Sequence, residues 1–474
     1  MLTLFVILYI AATMLIGWWA SRRVKNTSDF VIAGRNMPLA IVATGLFATW
    51  FGSETVMGAS AAFIDEKEGG ILAVIEDPFG AALCLFLLGV FIAKPMYRLN
   101  LLTFSDYFKE RFSAKTELLS AIMLIPSYFG WIAAQLIALA TILYVMTGLP
   151  IAFGLIICAS IVMFYTYIGG MWAVSVTDFV QTIIILIGLL VLTIEMVTQV
   201  GGFAVIESKL PERFFNFLPP PDFKSWMFYI AAWITIGLGS IPQQDVFQRV
   251  MSAKSEKTAM RASYLSAAMY LSIAAMPLII ALCGKILYPE LARGDETVTQ
   301  MMIPNMVLQH GSLFLQIMFF GALLSAILST ASGAILAPAT VVGENIIKPH
   351  FSDMTDAQLL RIMRLSVVGI TIISTIMASL NSDIYELVSD SSALSLVSLF
   401  VPLIAGLYWP RSSDLGALFS MSIGLFVWLF ARIAETETAA VPPILLGLIA
   451  SIFGMMLGTY IKPRTNSEIT NSRL

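Results

Sequence analysis

Long apolar stretches separated by short polar breaks run through the whole chain. A helix needs about 20 mostly apolar residues to cross a bilayer core about 30 Å thick. The pattern predicts about thirteen transmembrane helices, at approximately 2–20, 38–63, 71–97, 117–147, 151–171, 175–200, 225–248, 259–288, 306–345, 362–381, 384–409, 414–433 and 440–461. Between the third and the fourth, residues 99–112 alternate apolar and charged positions at helical spacing, which indicates a helix on the membrane surface.

The composition agrees with this pattern and excludes several classes of protein. Of 474 residues, 58% are hydrophobic and 12% are charged, whereas a soluble domain is about one quarter charged. A soluble enzyme, a nucleic-acid-binding protein and a disordered scaffold are therefore excluded. No set of nucleophile, base and metal ligands lies at membrane depth, so we expect no catalytic residues and no enzyme. The expected surroundings are a lipid bilayer, with no nucleic acid and no evident obligate protein partner.

The distribution of basic residues predicts how the chain is oriented. With the N-terminus outside, 20 of the 27 Lys and Arg residues fall on the inner side, where membrane proteins collect them. An odd number of spans then places the C-terminus in the cytoplasm. We expect a single transmembrane domain over residues 1–463 and a cytoplasmic tail at 464–474, in a multi-pass protein of the bacterial inner (cell) membrane.

The spans divide into two sets of five, which we place at about 38–200 and 225–409. Because five is odd, the second set enters the membrane from the opposite side, and the two sets form an inverted repeat. The second and seventh spans, which begin these sets, both carry glycine clusters, at Gly45, Gly52 and Gly58 and at Gly237 to Pro242. Matched interruptions predict two broken helices at a binding site, although glycine also simply permits close helix packing.

Broken helices and the ninth span together suggest a cation site. Unwound backbone at membrane depth is tolerated where its carbonyl groups line a cavity or bind a ligand. In the ninth span, Ala326, Ser329 and Thr330 lie at i, i+3 and i+4 on one helix face. They offer one carbonyl and two hydroxyl oxygens, which suit a sodium ion. The alternative is that these small residues only allow neighbouring helices to approach closely.

Several motifs resemble those of the sodium:solute symporter family. They are Ser28 to Arg35, Gly169 to Trp172 with Thr177 to Gln181, Ala326 to Thr330, and Gln248-Arg249. They occur in the family's order, and the similarity runs from the first span to about Trp409. The resemblance implies an all-α, five-plus-five inverted-repeat fold of the leucine-transporter type, with one leading and two trailing helices.

The resemblance also implies ion sites. Members of this family share a sodium site that uses two carbonyl groups ten and seven residues before a glycine, which correspond to Ala48 and Phe51 before Gly58. The expected sodium-binding residues are Ala48, Phe51, Ala326, Ser329 and Thr330. No other metal is expected.

Some members have a second sodium site, and its residues correspond only in part. Asp178 and Ser332 match, but the last position is Gly333, which has no side chain. Asp178 and Ser332 are therefore expected to form a second sodium site or the inner exit path. From its position alone, without the resemblance, Asp178 is better interpreted as a helix cap.

The choline-transporter branch of the family is the most similar. The shared segments are Ala48-Thr49-Trp50, Phe91 to Met96, Ile241-Pro242, Phe247-Gln248-Arg249 and Ser391-Ser392. That branch encloses a quaternary ammonium with aromatic faces, as cation–π attraction favours. Trp50 and Trp131 match this aromatic box, whereas Gln243 and Ala81 stand at two of its other positions.

Acidic residues in or near the spans are further candidates, because a charge in the bilayer is costly and is by default a functional hypothesis. Glu54 holds a substrate ammonium or, alternatively, accepts structural hydrogen bonds. Glu76 and Asp77 lie at the outer mouth or form a solvated helix end, and Asp245 pairs with Arg249 one turn on. The expected substrate-binding residues are Trp50, Glu54, Thr55, Trp131 and Gln243.

We therefore expect a secondary active symporter that imports a small organic solute with Na⁺ by alternating access. The substrate is expected to be an amine or zwitterion such as choline, proline or another amino acid. Two alternatives stay within transport: a proton-coupled transporter in which Glu54 carries the proton, and a symporter of a sugar or carboxylate. An alternative of another class is a membrane sensor domain, which would need an attached signalling module.

Overall fold

The computed structural model describes residues 2–65, 67, 69–292, 296–351, 353–380, 384–434, 436 and 439–464. Within these residues, nine helices are long and apolar enough to cross a membrane. They are Ile71–Leu99, Ala114–Thr147, Ile151–Val200, Glu256–Leu287, Leu313–His350, Asp356–Ala378, Leu387–Tyr408, Asp414–Ile433 and Pro443–Ile461. A bent pair, Phe223–Gly239 and Gln244–Ser252, forms a tenth membrane span.

Three more features bring the described spans to the thirteen predicted. The helix Leu2–Ser21 has 20 residues, and a broken span runs through Leu39–Phe47, Glu54–Ala59 and Ser60–Ile64. The 50-residue helix Ile151–Val200 would be about 75 Å long at 1.5 Å per residue, which is more than twice the bilayer core. It therefore counts as two spans, and we number the spans 1 to 13 in chain order.

A glycine rather than a loop separates spans 5 and 6. Gly170 has φ +50° and ψ −156°, so it interrupts the helix Ile151–Val200 without ending it. A side chain at Gly170 would collide with the Phe30 ring and would be strained at this φ. The polar break predicted near residues 171–175 is thus a kink.

The two sets of five spans are inverted relative to each other. Met37 precedes span 2, and its backbone N–H donates to the Ser252 carbonyl, at the end of span 7, at 2.9 Å. The Lys254 N–H returns a hydrogen bond to the Met37 carbonyl at 3.0 Å. Since span 2 begins where span 7 ends, corresponding spans run in opposite directions, as predicted.

Both predicted breaks are present, and both begin the sets of five. Span 2 leaves helical geometry after Phe47 and resumes at Glu54. Span 7 stops at Gly239 and resumes at Gln244, with a bend of 48° between its halves. Spans 4 and 9, whose apolar stretches are 72% buried, lie centrally against these breaks, whereas spans 10 and 12 are 33% buried.

The predicted start of span 9 was wrong. Span 9 does not start at residue 306, because Met302–His310 is a separate helix and Ser312 caps a new helix by accepting from the Leu315 N–H at 3.3 Å. The segment 99–112, predicted to be a helix on the membrane surface, contains the helix Phe104–Arg111. Its Arg111 is 3% exposed and donates to the Gly406 carbonyl at 2.7 Å, at the end of span 11.

Candidate functional site

Four oxygens from the first break and span 9 converge around Thr330. Its hydroxyl lies 3.0 Å from the Ala48 carbonyl oxygen, 3.4 Å from that of Phe51 and 3.1 Å from that of Ala326. All four residues are at least 99% buried. We call this group the Thr330 oxygen set. The hydroxyl carries one proton for three carbonyl acceptors, so the set is rich in oxygen lone pairs, as a hard cation requires.

Ser329, the neighbour of Thr330, is engaged elsewhere. Its hydroxyl donates to Asp178 Oδ1 in a short hydrogen bond. The other oxygen of Asp178 accepts from Arg249 Nη2 at 3.2 Å. Asp178 lies inside the helix Ile151–Val200 and is fully buried, so it is not a helix cap.

Arg249 also accounts for the expected pair with Asp245, since its Nη1 lies 3.8 Å from Asp245 Oδ2. Its side chain is 3% exposed, so one buried guanidinium forms ion pairs with two buried carboxylates. The pairing with Asp178, 71 positions away in sequence, was not predicted.

Asp178 and Ser332, the expected second sodium site or exit path, share no direct hydrogen bond among the described contacts. Ser332 donates to the Ser329 carbonyl at 2.9 Å, within its own helix. A Cβ atom at Gly333 would lie 2.5 Å from Arg249 Nη2. The guanidinium therefore fills the space that a side chain at position 333 would occupy, next to Asp178.

Glu54 accepts two hydrogen bonds from span 4. Trp131 Nε1 donates to Oε1 at 3.1 Å and Gln135 Nε2 donates to Oε2 at 2.7 Å. Gln135 in turn accepts from the Ser53 N–H at 3.0 Å, which satisfies backbone freed by the break. Sequence reasoning missed Gln135, although an amide one helical turn after Trp131 in an apolar span was a signal.

Gly52 lies where the Thr330 oxygen set meets the Glu54 group. A Cβ atom added at this position would be 2.6 Å from Gln135 Oε1, 2.8 Å from Glu54 Oε2 and 2.9 Å from Thr330 Oγ1. Only a residue without a side chain fits here. Gly52 thus lies directly between the two groups.

Thr55 and Asp77 lie together on another side of the break. Thr55 donates to Asp77 Oδ2 at 2.7 Å, and Tyr270 from span 8 donates to Oδ1 at 2.8 Å. Asp77 is 1% exposed and Glu76 is 9% exposed, so neither is a solvated helix end. Tyr270 was missed, because nothing in the spacing of span 8 links it to residue 77.

The tryptophans and the second break carry the remaining candidates. Trp131 stacks on Tyr128 with ring centroids 5.9 Å apart, and Tyr128 donates to Asp245 at the start of Gln244–Ser252. Trp50 Nε1 and Gln243 Oε1 are buried without a hydrogen-bond partner among the described residues. The five expected substrate-binding residues are each no more than 2% exposed, so this conformation shields them from solvent.

The sodium:solute symporter family model matches residues 30–424 of the chain. The chain belongs to this family. As a sodium:solute symporter, it is a multi-pass membrane protein that performs sodium-coupled solute symport. The relatives of the chain are transporters as well.

Individual relatives cover most of the chain. It is 28% identical over 444 residues to the human high affinity choline transporter 1, which covers 89% of this chain and 75% of the relative. It is 26% identical over 475 residues to the high-affinity proline transporter PutP of Bacillus subtilis (strain 168), a match that covers 97% of this chain and 98% of the relative.

A solved structure shows the fold. The chain matches a Na⁺-coupled sialic acid symporter, in a substrate-bound outward-open state, with a TM-score of 0.83 at 19% identity, covering 98% of both chains. The fold is therefore the leucine-transporter type predicted from the sequence.

Proposed function

We propose that this sodium:solute symporter imports a small amine or zwitterion, such as choline, proline or another amino acid. The observation that carries the ion part is the convergence of the Thr330 oxygen set on the broken span 2. In this proposal one Na⁺ binds the carbonyl oxygens of Ala48, Phe51 and Ala326 and the hydroxyl of Thr330. Ser329 supplies a further oxygen when it turns from Asp178 towards the ion.

The charge of the substrate is proposed from the groups around Glu54. Among the described residues, no Lys, Arg or His forms an ion pair with this buried carboxylate. Trp50 and Trp131 offer aromatic faces that attract a cation, and Gln243 Oε1 is an acceptor without a partner. A substrate ammonium bound among these side chains would compensate the charge of Glu54. Relatives named for choline and proline transport support a charged nitrogen.

Coupling between ion and substrate follows from their proximity across Gly52. An ion on the Thr330 oxygen set holds the broken span 2 against span 9 and orders the backbone that carries Trp50 and Glu54. Coupling is reciprocal, so substrate raises the affinity for Na⁺ by the same factor. A membrane potential of about −100 mV contributes about 2.3 kcal/mol per carried charge to accumulation.

The orientation is part of the proposal. The uneven distribution of Lys and Arg supports an outside N-terminus and a cytoplasmic C-terminus in a bacterial cell membrane. A cysteine-reactive, membrane-impermeant label at Lys462→Cys should react only in inside-out vesicles. Labelling from the outside of intact cells would reverse the orientation.

The experiment that tests the function is uptake into proteoliposomes. Labelled choline, proline and a sugar are each supplied with an inward Na⁺ gradient, with an inward proton gradient, or with neither. We expect sodium-dependent uptake of choline or proline. Uptake that follows protons and ignores Na⁺ would overturn the ion assignment, uptake of the sugar alone would overturn the amine assignment, and binding without uptake would favour a sensor.

Replacing Thr330 with valine should raise the half-saturating Na⁺ concentration for uptake by about tenfold or more, because the sodium ion loses the Thr330 hydroxyl as a ligand. Thr371→Val is the matched control, since the Thr371 hydroxyl is buried and bonds only the Val367 carbonyl in its own helix, at 2.8 Å. Equal sodium dependence in both variants would contradict the proposed ion site.

A further inference from the structure

A second group of oxygens lies beside the Thr330 oxygen set and is separate from it. Thr55 Oγ1 is 2.7 Å from Asp77 Oδ2 and 2.7 Å from the Tyr270 hydroxyl, which is itself 2.8 Å from Asp77 Oδ1. The Trp50 carbonyl oxygen, freed by the break, lies 3.3 Å from Thr55 Oγ1 and 3.2 Å from the Tyr270 hydroxyl. We call these five oxygens the Asp77 oxygen set.

The charge of Asp77 is not compensated by any described basic residue. Its carboxylate is 1% exposed, and both of its oxygens accept only from neutral hydroxyl groups. Arg249 is committed to Asp178 and Asp245. Lys285, on the same span as Tyr270, is about four helical turns away and donates to the Ile64 carbonyl.

Neighbouring acids increase the negative potential at Asp77. Glu54 and Glu76 both interact electrostatically with it. Glu76 Oε1 is buried and has no hydrogen-bond partner among the described residues. Burying like charges together is strongly unfavourable, so either a bound cation or a proton must neutralise them.

The donor atoms indicate which cation would bind. All five are oxygens: two belong to the Asp77 carboxylate, two to hydroxyls and one to a backbone carbonyl. Such a set suits a hard ion and lacks the nitrogen or sulfur ligands of transition metals. We infer that the Asp77 oxygen set is a second sodium site of this transporter. The inference rests on the proposed sodium-coupled transport. It also moves the second ion away from Asp178, where Arg249 already supplies a positive charge.

The position of the site gives the ion a mechanical role. Its ligands come from spans 2, 3 and 8, so they join the first set of five spans to the second. Tyr270 also packs edge-on against Phe47 and Phe51, with ring centroids 5.9 and 6.1 Å away. Trp50 contributes its carbonyl to the Asp77 set and Phe51 contributes its own to the Thr330 set, so the break holds both ions through neighbouring peptide groups.

Transport measurements test this inference first. Initial uptake by the wild type should depend on Na⁺ with a Hill coefficient approaching about 2, the number of sites. Asp77→Asn should lower the coefficient to about 1 and reduce the charge carried per substrate by one. Tyr270→Phe, which keeps the ring packing, should raise the half-saturating Na⁺ concentration about tenfold, because the charged ion loses one of its oxygen ligands.

A matched control separates this effect from a general loss of tyrosine hydroxyls. Tyr408→Phe removes a hydroxyl that donates to the Phe91 carbonyl, away from both oxygen sets. It should leave the Hill coefficient and the half-saturating Na⁺ concentration unchanged. The same change in both tyrosine variants would overturn the assignment.

A substrate-free measurement keeps this test independent of the proposed substrate. Na⁺, compared with N-methylglucamine at equal ionic strength, should raise the melting temperature of the detergent-solubilised protein, because an ion that binds only the folded state stabilises it. Asp77→Asn and Thr330→Val should each reduce this shift, and the double variant should abolish it. The second site would be overturned if Asp77→Asn kept the full temperature shift and an unchanged Hill coefficient. It would also be overturned if Asp77→Asn lost only a dependence of uptake on protons.

Discussion

Replacing Arg249 with alanine is expected to leave most of the protein molecules without a stable fold. The guanidinium is 3% exposed and is the described ion-pair partner of two buried carboxylates, Asp178 at 3.2 Å and Asp245 at 3.8 Å. Removing one partner of a buried ion pair costs about 3–5 kcal/mol, because the remaining charge stays in a medium of low dielectric constant. Fluorescence-detected gel filtration and the melting temperature in detergent would measure the loss of folded protein.

The matched control is an exposed arginine with similar hydrogen bonds. Arg98 Nε donates to Glu256 at 2.8 Å, but the Arg98 side chain is 62% exposed. Arg98→Ala should leave stability nearly unchanged, because an exposed ion pair contributes little. Combining Arg249→Met with Asp178→Asn and Asp245→Asn should recover folded protein, since no buried charge is left unpaired. A single Arg249→Ala variant as stable as Arg98→Ala would show that the buried carboxylates do not depend on Arg249.

Replacing Gly52 with alanine is expected to abolish transport while the protein still folds. The added Cβ would lie within 2.9 Å of oxygens of Gln135, Glu54 and Thr330. It would therefore displace both the Thr330 oxygen set and the Glu54 group. A displacement of about 1 Å at a positioned site can cost about a hundredfold in rate. Uptake of the transported solute, normalised to the amount of monodisperse protein, is the measurement.

Gly369→Ala controls for the exchange of a glycine in a membrane helix. A Cβ at Gly369, within Asp356–Ala378, meets no atom within 4 Å, and alanine is favoured over glycine in helices by up to about 1 kcal/mol. This variant should transport like the wild type. Gly52→Ala should also lose the sodium-dependent rise in melting temperature, and retention of both that rise and uptake would show that position 52 tolerates a side chain.

Much of the candidate ion site could be predicted from the sequence. The spacing of Ala326, Ser329 and Thr330 placed them on one face of span 9, and the glycines of span 2 indicated a break. The family pattern then selected the carbonyl groups of Ala48 and Phe51. These signals are local, because helical periodicity and glycine content depend on residues within a few turns.

The partners of the buried charges could not be predicted in the same way. Gln135 reaches Glu54 across 81 positions, and Tyr270 reaches Asp77 across 193. Such contacts depend on how each helix is rotated about its axis. A rotation of one residue, about 100° in an α-helix, would direct either side chain elsewhere.

The sequence by itself determined the membrane class, the thirteen spans, the inverted repeat and the two breaks, because each depends on the length and spacing of apolar and small residues. The tertiary structure alone decided that Arg249 neutralises Asp178 and fills the space beside Gly333. It also decided that Asp77 joins Thr55 and Tyr270 rather than solvent. Charged groups inside a bilayer almost always pair with other polar groups, but which group each one meets is set by helix packing between distant parts of the chain.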